Sequence, residues 1–234
     1  SIDRFIDSIN DWVDINIAAL LAHGPNSSHY GILRESSNSG PAVLKTKELT
    51  RNKLKDYLSA KLSGVNDSST DGGEAGLLAL NAAITEKFET AQAKGFFRED
   101  AALVVVFLSD ENDICFNTQP NRVKDAEKIN GQEVELWAAQ QFCGNLTYQS
   151  VYSALTNAKG SMPTLVSGII YLDPYPAGGE NETGWGYLNL IALAGGVPVN
   201  LDGGTQAIAN GLKFIADMTN TRITYQSIFP MEYI

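Results

Sequence analysis

The chain has 234 residues, 44% of them hydrophobic and 19% charged, which supplies a real core and excludes a disordered segment. Its 17 Lys and Arg against 27 Asp and Glu leave a net charge of −10, a field that repels phosphate backbones and anionic lipid and so argues against nucleic acid or a membrane surface as partner. No apolar run reaches the roughly 18 residues of a membrane helix, so no membrane insertion is expected. The chain opens on an amphipathic helix pattern rather than a secretory signal, which fits a cytosolic protein or one whose targeting segment has been removed.

Residues 1–13 place Ile2, Phe5, Ile6, Ile9 and Val13 on one stripe, with Asp3, Asp7 and Asn10 between them, and predict an amphipathic helix. Asp14 to Leu21 turns apolar and ends before Gly24-Pro25, as a buried strand would. Tyr30–Leu33 and Ala42–Leu44 flank a Ser/Asn/Gly turn and predict an edge hairpin. Leu54, Leu58 and Leu62 predict a helix over 50–62, and a polar, Gly-rich loop follows at 64–73. Leu77, Leu80, Ile84 and Phe88 then predict one long helix over 74–94. Leu103–Leu108 is apolar without alternation, the pattern of a central parallel strand covered on both faces. It is expected to be the most buried strand, with 15–21 on one side, across a gap or a foreign strand, and 164–172 on the other. Helices are predicted at 132–142, 148–159, 185–194 and 205–218, and strands at 164–172, 197–201 and 223–229. Strands alternating with helices predict an α/β fold: a three-layer sandwich with a mostly parallel central sheet and helices on both faces, one domain over 1–234.

Chemistry in such a sheet gathers at the carboxyl ends of the strands. Three polar clusters fall there: His23-Gly24-Pro25, Ser109-Asp110-Glu111-Asn112-Asp113 and Asp173-Pro174-Tyr175. An Asp delivered by the last turn of an apolar strand can hold a hard cation, or it can cap a turn, as either Asp110 or Asp113 could. The loop from Asn66 to Glu74 precedes a helix and offers hydroxyls and carboxylates, with Thr70 or Asp71 as N-cap. It is not a calcium loop: Asp67, Ser69, Asp71 and Gly72 fit its start, but Leu78 occupies the twelfth position. Phosphate-loop, dinucleotide and serine-hydrolase motifs are absent, and His23 and His29 are the only imidazoles. The two cysteines, Cys115 and Cys143, either pair in an oxidising compartment or stand as reduced thiols, and the bond is the expectation adopted.

The run Gly95-Phe96-Phe97-Arg98-Glu99-Asp100-Ala101-Ala102, leading through Leu103–Leu108 into Ser109-Asp110-Glu111-Asn112-Asp113, resembles a bacterial branch of von Willebrand factor A (vWA) domains. In that branch Gly-Phe-Leu-Arg-x-Asp-Ala leads into the fourth strand, which ends in Ser-Asp-Glu-Asp-Asp; Asn112 stands where the branch has Asp. Gly73-Glu74-x-Gly76-Leu77-x-Ala79-Leu80 is similar to the helix after its second metal-site loop, and Val166-Ser167-Gly168-Ile169-Ile170 to its fifth strand. The resemblance implies a metal-ion-dependent adhesion site on top of the sheet, with Asp110 and Thr70 as ligands of Mg²⁺ and a carboxylate from the partner completing the shell. The family's Asp-x-Ser-x-Ser loop after its central first strand occurs nowhere in the sequence. Either that segment lies upstream, or another polypeptide supplies it, or the fold departs from the family.

The expected function is a non-catalytic, protein-binding adhesion module of a bacterial surface, secreted or periplasmic protein. Its partner would be a protein ligand or another polypeptide segment completing the sheet, with Mg²⁺ at an incomplete adhesion site. The alternatives are a structural subunit of a larger assembly with a vestigial metal site, and a metal-dependent hydrolase built on Asp110, Glu111 and Asp173.

Overall fold

A computed structural model describes residues 2–63, 73–116, 127–173 and 182–228. Eight helices lie in them: α1 (Ile2–Ser8), α2 (Arg51–Leu62), α3 (Gly76–Ile84), α4 (Phe88–Ala93), α5 (Val134–Ala138), α6 (Tyr148–Lys159), α7 (Tyr187–Leu193) and α8 (Gly204–Ile228). The strands are β1 (Asn16–Ile17), β2 (Leu44–Lys45), β3 (Leu103–Leu108), β4 (Lys128–Ile129), β5 (Gln132–Glu133), β6 (Thr164–Ile170) and β7 (Pro198–Asn200). The fold is α/β. Its main sheet is parallel, in the order β3-β6-β7, with Leu103 opposite Thr164 and Leu108 opposite Ile169. Helical connections make that direction possible, since parallel strands need a long crossover: α6 lies between β3 and β6, and α7 between β6 and β7.

Local chemistry starts the helices where the sequence offers it. Thr50 caps α2 by accepting the Lys53 N–H, and Thr147 and Ser150 form a reciprocal capping box on α6. The main core joins Leu77 and Leu80 of α3, Val151 and Leu155 of α6, and Leu190 of α7 to Val166 and Ile170 of β6. A second cluster joins Ile6 of α1 and the adjoining Ile9 to Leu54 and Leu58 of α2 and to Leu44. Between α7 and β7 the backbone crosses β6 so closely that a Cβ on Gly196 would stand 1.6 Å from the Val166 carbonyl oxygen, so only glycine fits.

Several expectations are corrected. Leu103–Leu108 is not the most buried strand: β3 is at the edge of the sheet, Val104–Phe107 are half-buried and Leu108 is 47% exposed, whereas Leu165–Ile170 of β6 are all buried. The segment 15–21 flanks β3 only across a gap, and its own bonds go elsewhere, Asn16–Ile17 to Leu44–Lys45 and Leu20 to Leu33. For the same reason Tyr30–Leu33 and Ala42–Leu44 do not form a hairpin with each other; both lean on the 16–20 segment. The long helix over 74–94 is broken after Ile84, where the Thr85 hydroxyl bonds the Asn81 carbonyl and the Lys87 N–H returns to Ala82. The helix over 132–142 starts two residues late, because Asn130-Gly131, both at positive φ, turn β4 into β5. The strand expected at 223–229 is helical through Ile228, as no Gly or Pro interrupts α8 between Leu212 and Pro230. No helix among the described residues is long and apolar enough to cross a membrane.

Candidate functional site

The polar run after β3 folds back against the start of α3. The Asp113 carboxylate accepts the N–H groups of Leu77 (2.7 Å) and Cys115 (3.0 Å), so it caps α3 from a distance. The Ser109 hydroxyl sits between the Glu74 carboxyl, at short range, and the Glu111 carbonyl at 2.7 Å. The Tyr187 hydroxyl accepts the Gly76 N–H at 3.2 Å and lies 3.5 Å from Glu74 Oε2. Asn112 Nδ2 donates to the Glu182 carboxylate, and the Glu182 N–H donates to the Asp110 carbonyl at 2.9 Å. Burial pushes the Glu74 carboxyl up to about 8, against the Ser109 bond and helped by the charges of Glu111, Asp110 and Asp113. Burial likewise pushes Asp113 up to about 7, against the two backbone N–H bonds. Both are therefore acids that keep a proton far above the usual carboxylate range. Glu74 meets the Ser109 and Tyr187 hydroxyls and Asp113 the backbone of Leu77 and Cys115, which ties the end of β3 to α3 and α7.

Asp110, the predicted metal ligand, has an exposed side chain at this edge. Thr70 lies outside the described residues. Among the described residues no group of three or more His, Cys, Asp or Glu gathers as a metal shell. Of the two predicted ligands, Asp110 alone lies among the described residues. Asp173 is exposed, and its neighbours Pro174 and Tyr175 lie outside the described residues. The two histidines share one loop, their rings edge to face at 6.0 Å, and His23 Nδ1 is 3.0 Å from the Ser27 hydroxyl. That hydroxyl also accepts the His29 N–H, so the contact braces the loop. Cys115 and Cys143 are joined, as expected, and pin the turn after Asp113 to the helical segment at 139–143.

The second feature is the edge of β3, unpaired among the described residues. The Leu103 N–H bonds the Pro163 carbonyl and the Ser109 N–H bonds the Ile169 carbonyl, so odd-numbered amides face β6. The amides and carbonyls of Val104, Val106 and Leu108 therefore face away from the sheet. The chain between Asp14 and Ala22 runs beside this edge in the same direction. At one end Arg98, just before β3, holds Asp14 through its carboxylate (2.7 Å) and carbonyl (2.8 Å). At the other end the Ala75 N–H bonds the Ala22 carbonyl, next to Glu74 and Ser109. Burial raises the Asp14 carboxyl, but Arg98 and Lys47 outweigh it and hold the group below its usual value. Among the described residues no backbone bond joins 14–22 to β3.

Two cavities occupy the space between them. One, of about 1370 Å³, is lined by Val104, Val106 and Leu108 together with Phe5 of α1, the adjoining Ile9, and Leu212 of α8. The other, of about 780 Å³, is lined by Val105, Phe107, Leu80, Tyr187, Arg34 and Lys61. They share Ala18 and Leu103–Ser109 apart from the two β3 side chains that point only one way, so they are the two sides of one slot. Compared with protein-family models, with curated proteins and with solved structures, the chain matches none.

Proposed function

We propose that this chain is a non-catalytic protein-binding module, vWA-like in architecture, that takes an extended segment of another polypeptide into the slot beside β3. The setting proposed for it is a surface, secreted or periplasmic protein. The observation that carries the reading is the edge itself: a six-residue parallel strand with outward backbone donors and acceptors, facing a mostly apolar slot. Exposed edges of this kind are normally blunted by charge, proline or a bulge, and none of these occurs in Leu103–Leu108. β-augmentation satisfies such an edge, the main chain giving affinity and alternate side-chain pockets giving specificity. Support for the three-layer arrangement comes from the two cavities, one walled by α1 and α8 and the other by α3 and α7. The disulfide supports an oxidising compartment. A structural subunit of an assembly would use the same edge in the same way, with the partner bound permanently.

Hydrogen exchange tests the reading. In the chain alone the amides of Val104, Val106 and Leu108 exchange freely, while those of Val105 and Phe107 are held by β6. Adding a soluble peptide with seven consecutive Val, Ile and Thr residues is expected to slow the three outward amides at least about tenfold and to leave the inward ones unchanged. Val106→Pro removes one outward donor without touching the β6 ladder and is expected to abolish the effect. Unchanged exchange at all three amides, or protection that survives Val106→Pro, would sink the proposal.

A further inference from the structure

The walls of the slot carry information about its occupant. Its two sides are mostly apolar, so a segment lying in it would bury side chains from both faces, as a central parallel strand does. Charge interrupts both walls: Asp14, Arg98, Asp100, Asp110 and Lys159 line the larger cavity, where Arg98 pairs with Asp14 at 2.7 Å and Lys159 donates to the Arg98 carbonyl. Arg34 and Lys61 stand together on the smaller cavity, and Lys61 is fully buried. The Lys61 ammonium donates to the Arg34 carbonyl, and the Arg34 guanidinium donates to the carbonyls of Lys61 and of Ser63 (2.6 Å). These acceptors are neutral. Among the described residues no carboxylate forms an ion pair with either cation; Glu35, whose charge acts on Lys61, is bonded to Lys94 at 2.8 Å. Of the carboxyls on the same cavity, Glu74 is held by Ser109, and Glu127 stands beside β5, where its carbonyl accepts the Val134 N–H. Burial, and then the neighbouring Arg34 charge, lowers Lys61 to about 8, the response of a cation that has lost water without gaining a counter-ion.

Buried cations are ordinarily paired, and a carboxylate brought between them would form charge-assisted bonds with both. We propose that the segment completing the sheet carries an acidic side chain, Asp or Glu, that pairs with Arg34 and Lys61. The inference rests on the strand-insertion reading and adds the chemistry of the occupant: a segment of a partner polypeptide with an acid at the register that meets Arg34 and Lys61. A basic or wholly apolar segment leaves the two cations without an anion, and a basic one adds repulsion in a desolvated site.

The test walks one Glu through each position of the seven-residue Val/Ile/Thr peptide and compares every member with its Gln counterpart. Affinity is read by fluorescence anisotropy and insertion by exchange at Val104, Val106 and Leu108. At one position the Glu peptide is expected to bind at least about tenfold tighter than the Gln peptide. That preference should vanish in Arg34→Gln with Lys61→Met and persist in Lys61→Arg. Glu and Gln peptides that protect the β3 amides equally at every position would overturn the acidic residue while leaving strand insertion intact. Failure of every peptide to protect those amides would overturn both. The comparison on the unaltered chain stands even if the doubly substituted variant does not fold.

Discussion

Raising the pH from 5 to 7.5 is expected to destabilise the folded chain, and Glu74→Gln to remove much of that loss. The direction follows from where the protons sit. Glu74 and Asp113 hold theirs in the folded state to about 8 and about 7, whereas in the unfolded chain they release them near 4.5 and 3.8. Below about pH 4 both states are protonated and the two groups contribute no penalty. Above it the unfolded chain gains charge that the buried site resists, so stability falls with rising pH until the folded pKa values are passed. Each group contributes up to about 1.4 kcal/mol per pH unit within its window. Asp14, whose carboxyl is lowered, acts in the acid range below 3.8, and Lys61, lowered to about 8, acts only above that value, so neither enters the interval from 5 to 7.5. Gln at position 74 keeps an acceptor for the Ser109 hydroxyl and cannot ionise. Urea unfolding of both proteins across this interval checks the point: parallel pH profiles would show that Glu74 is already charged when folded.

Those two acids also mark the limit of what the sequence reveals. The Ser109–Asp113 run announces itself as a polar stop after an apolar strand, and the capping role open to Asp113 is the one the structure gives it. Glu74, Tyr187 and Glu182 meet that run from positions 35 or more residues away, and no periodicity reports a contact of that range. The strands β3 and β6 are legible because unalternating Val, Leu and Ile runs of six or seven residues suit few other places. Their order in the sheet is not legible. An apolar strand reads as central whether its second neighbour is present or its place is open, and Leu103–Leu108 carries the pattern of a covered strand while standing at an edge. That mismatch between pattern and position is what directs attention to the slot. The cations on its wall escape the sequence for another reason: Lys61 looks like the solvated last turn of α2, and only tertiary structure shows it buried against Arg34.

Replacing both cysteines, Cys115→Ala with Cys143→Ala, is expected to lower stability more than any other change confined to this end of the sheet. The bond closes a loop with a sequence separation of 28, and the chain-entropy account assigns such a closure roughly 3.5 kcal/mol, lost when the unfolded chain regains its freedom. For a chain of this size that corresponds to a fall in Tm of roughly 10 °C. Local packing adds to the effect. Cys115 and Cys143 lie against Ala75, Leu78, Ile114 and Ala138, a small cluster that fixes the start of α3. The Cys115 N–H is also one of the two donors on the Asp113 carboxylate, the other being Leu77 of α3. Loosening the bond therefore loosens a cap, and the disulfide and Asp113 should not act independently. Thermal melts of the double variant, of Asp113→Ala and of the combined protein give the cycle. The expected result is a combined loss smaller than the sum of the two. Strict additivity would mean that the disulfide stabilises only through the unfolded chain, and an unchanged Tm in the double variant would show that the closure contributes nothing.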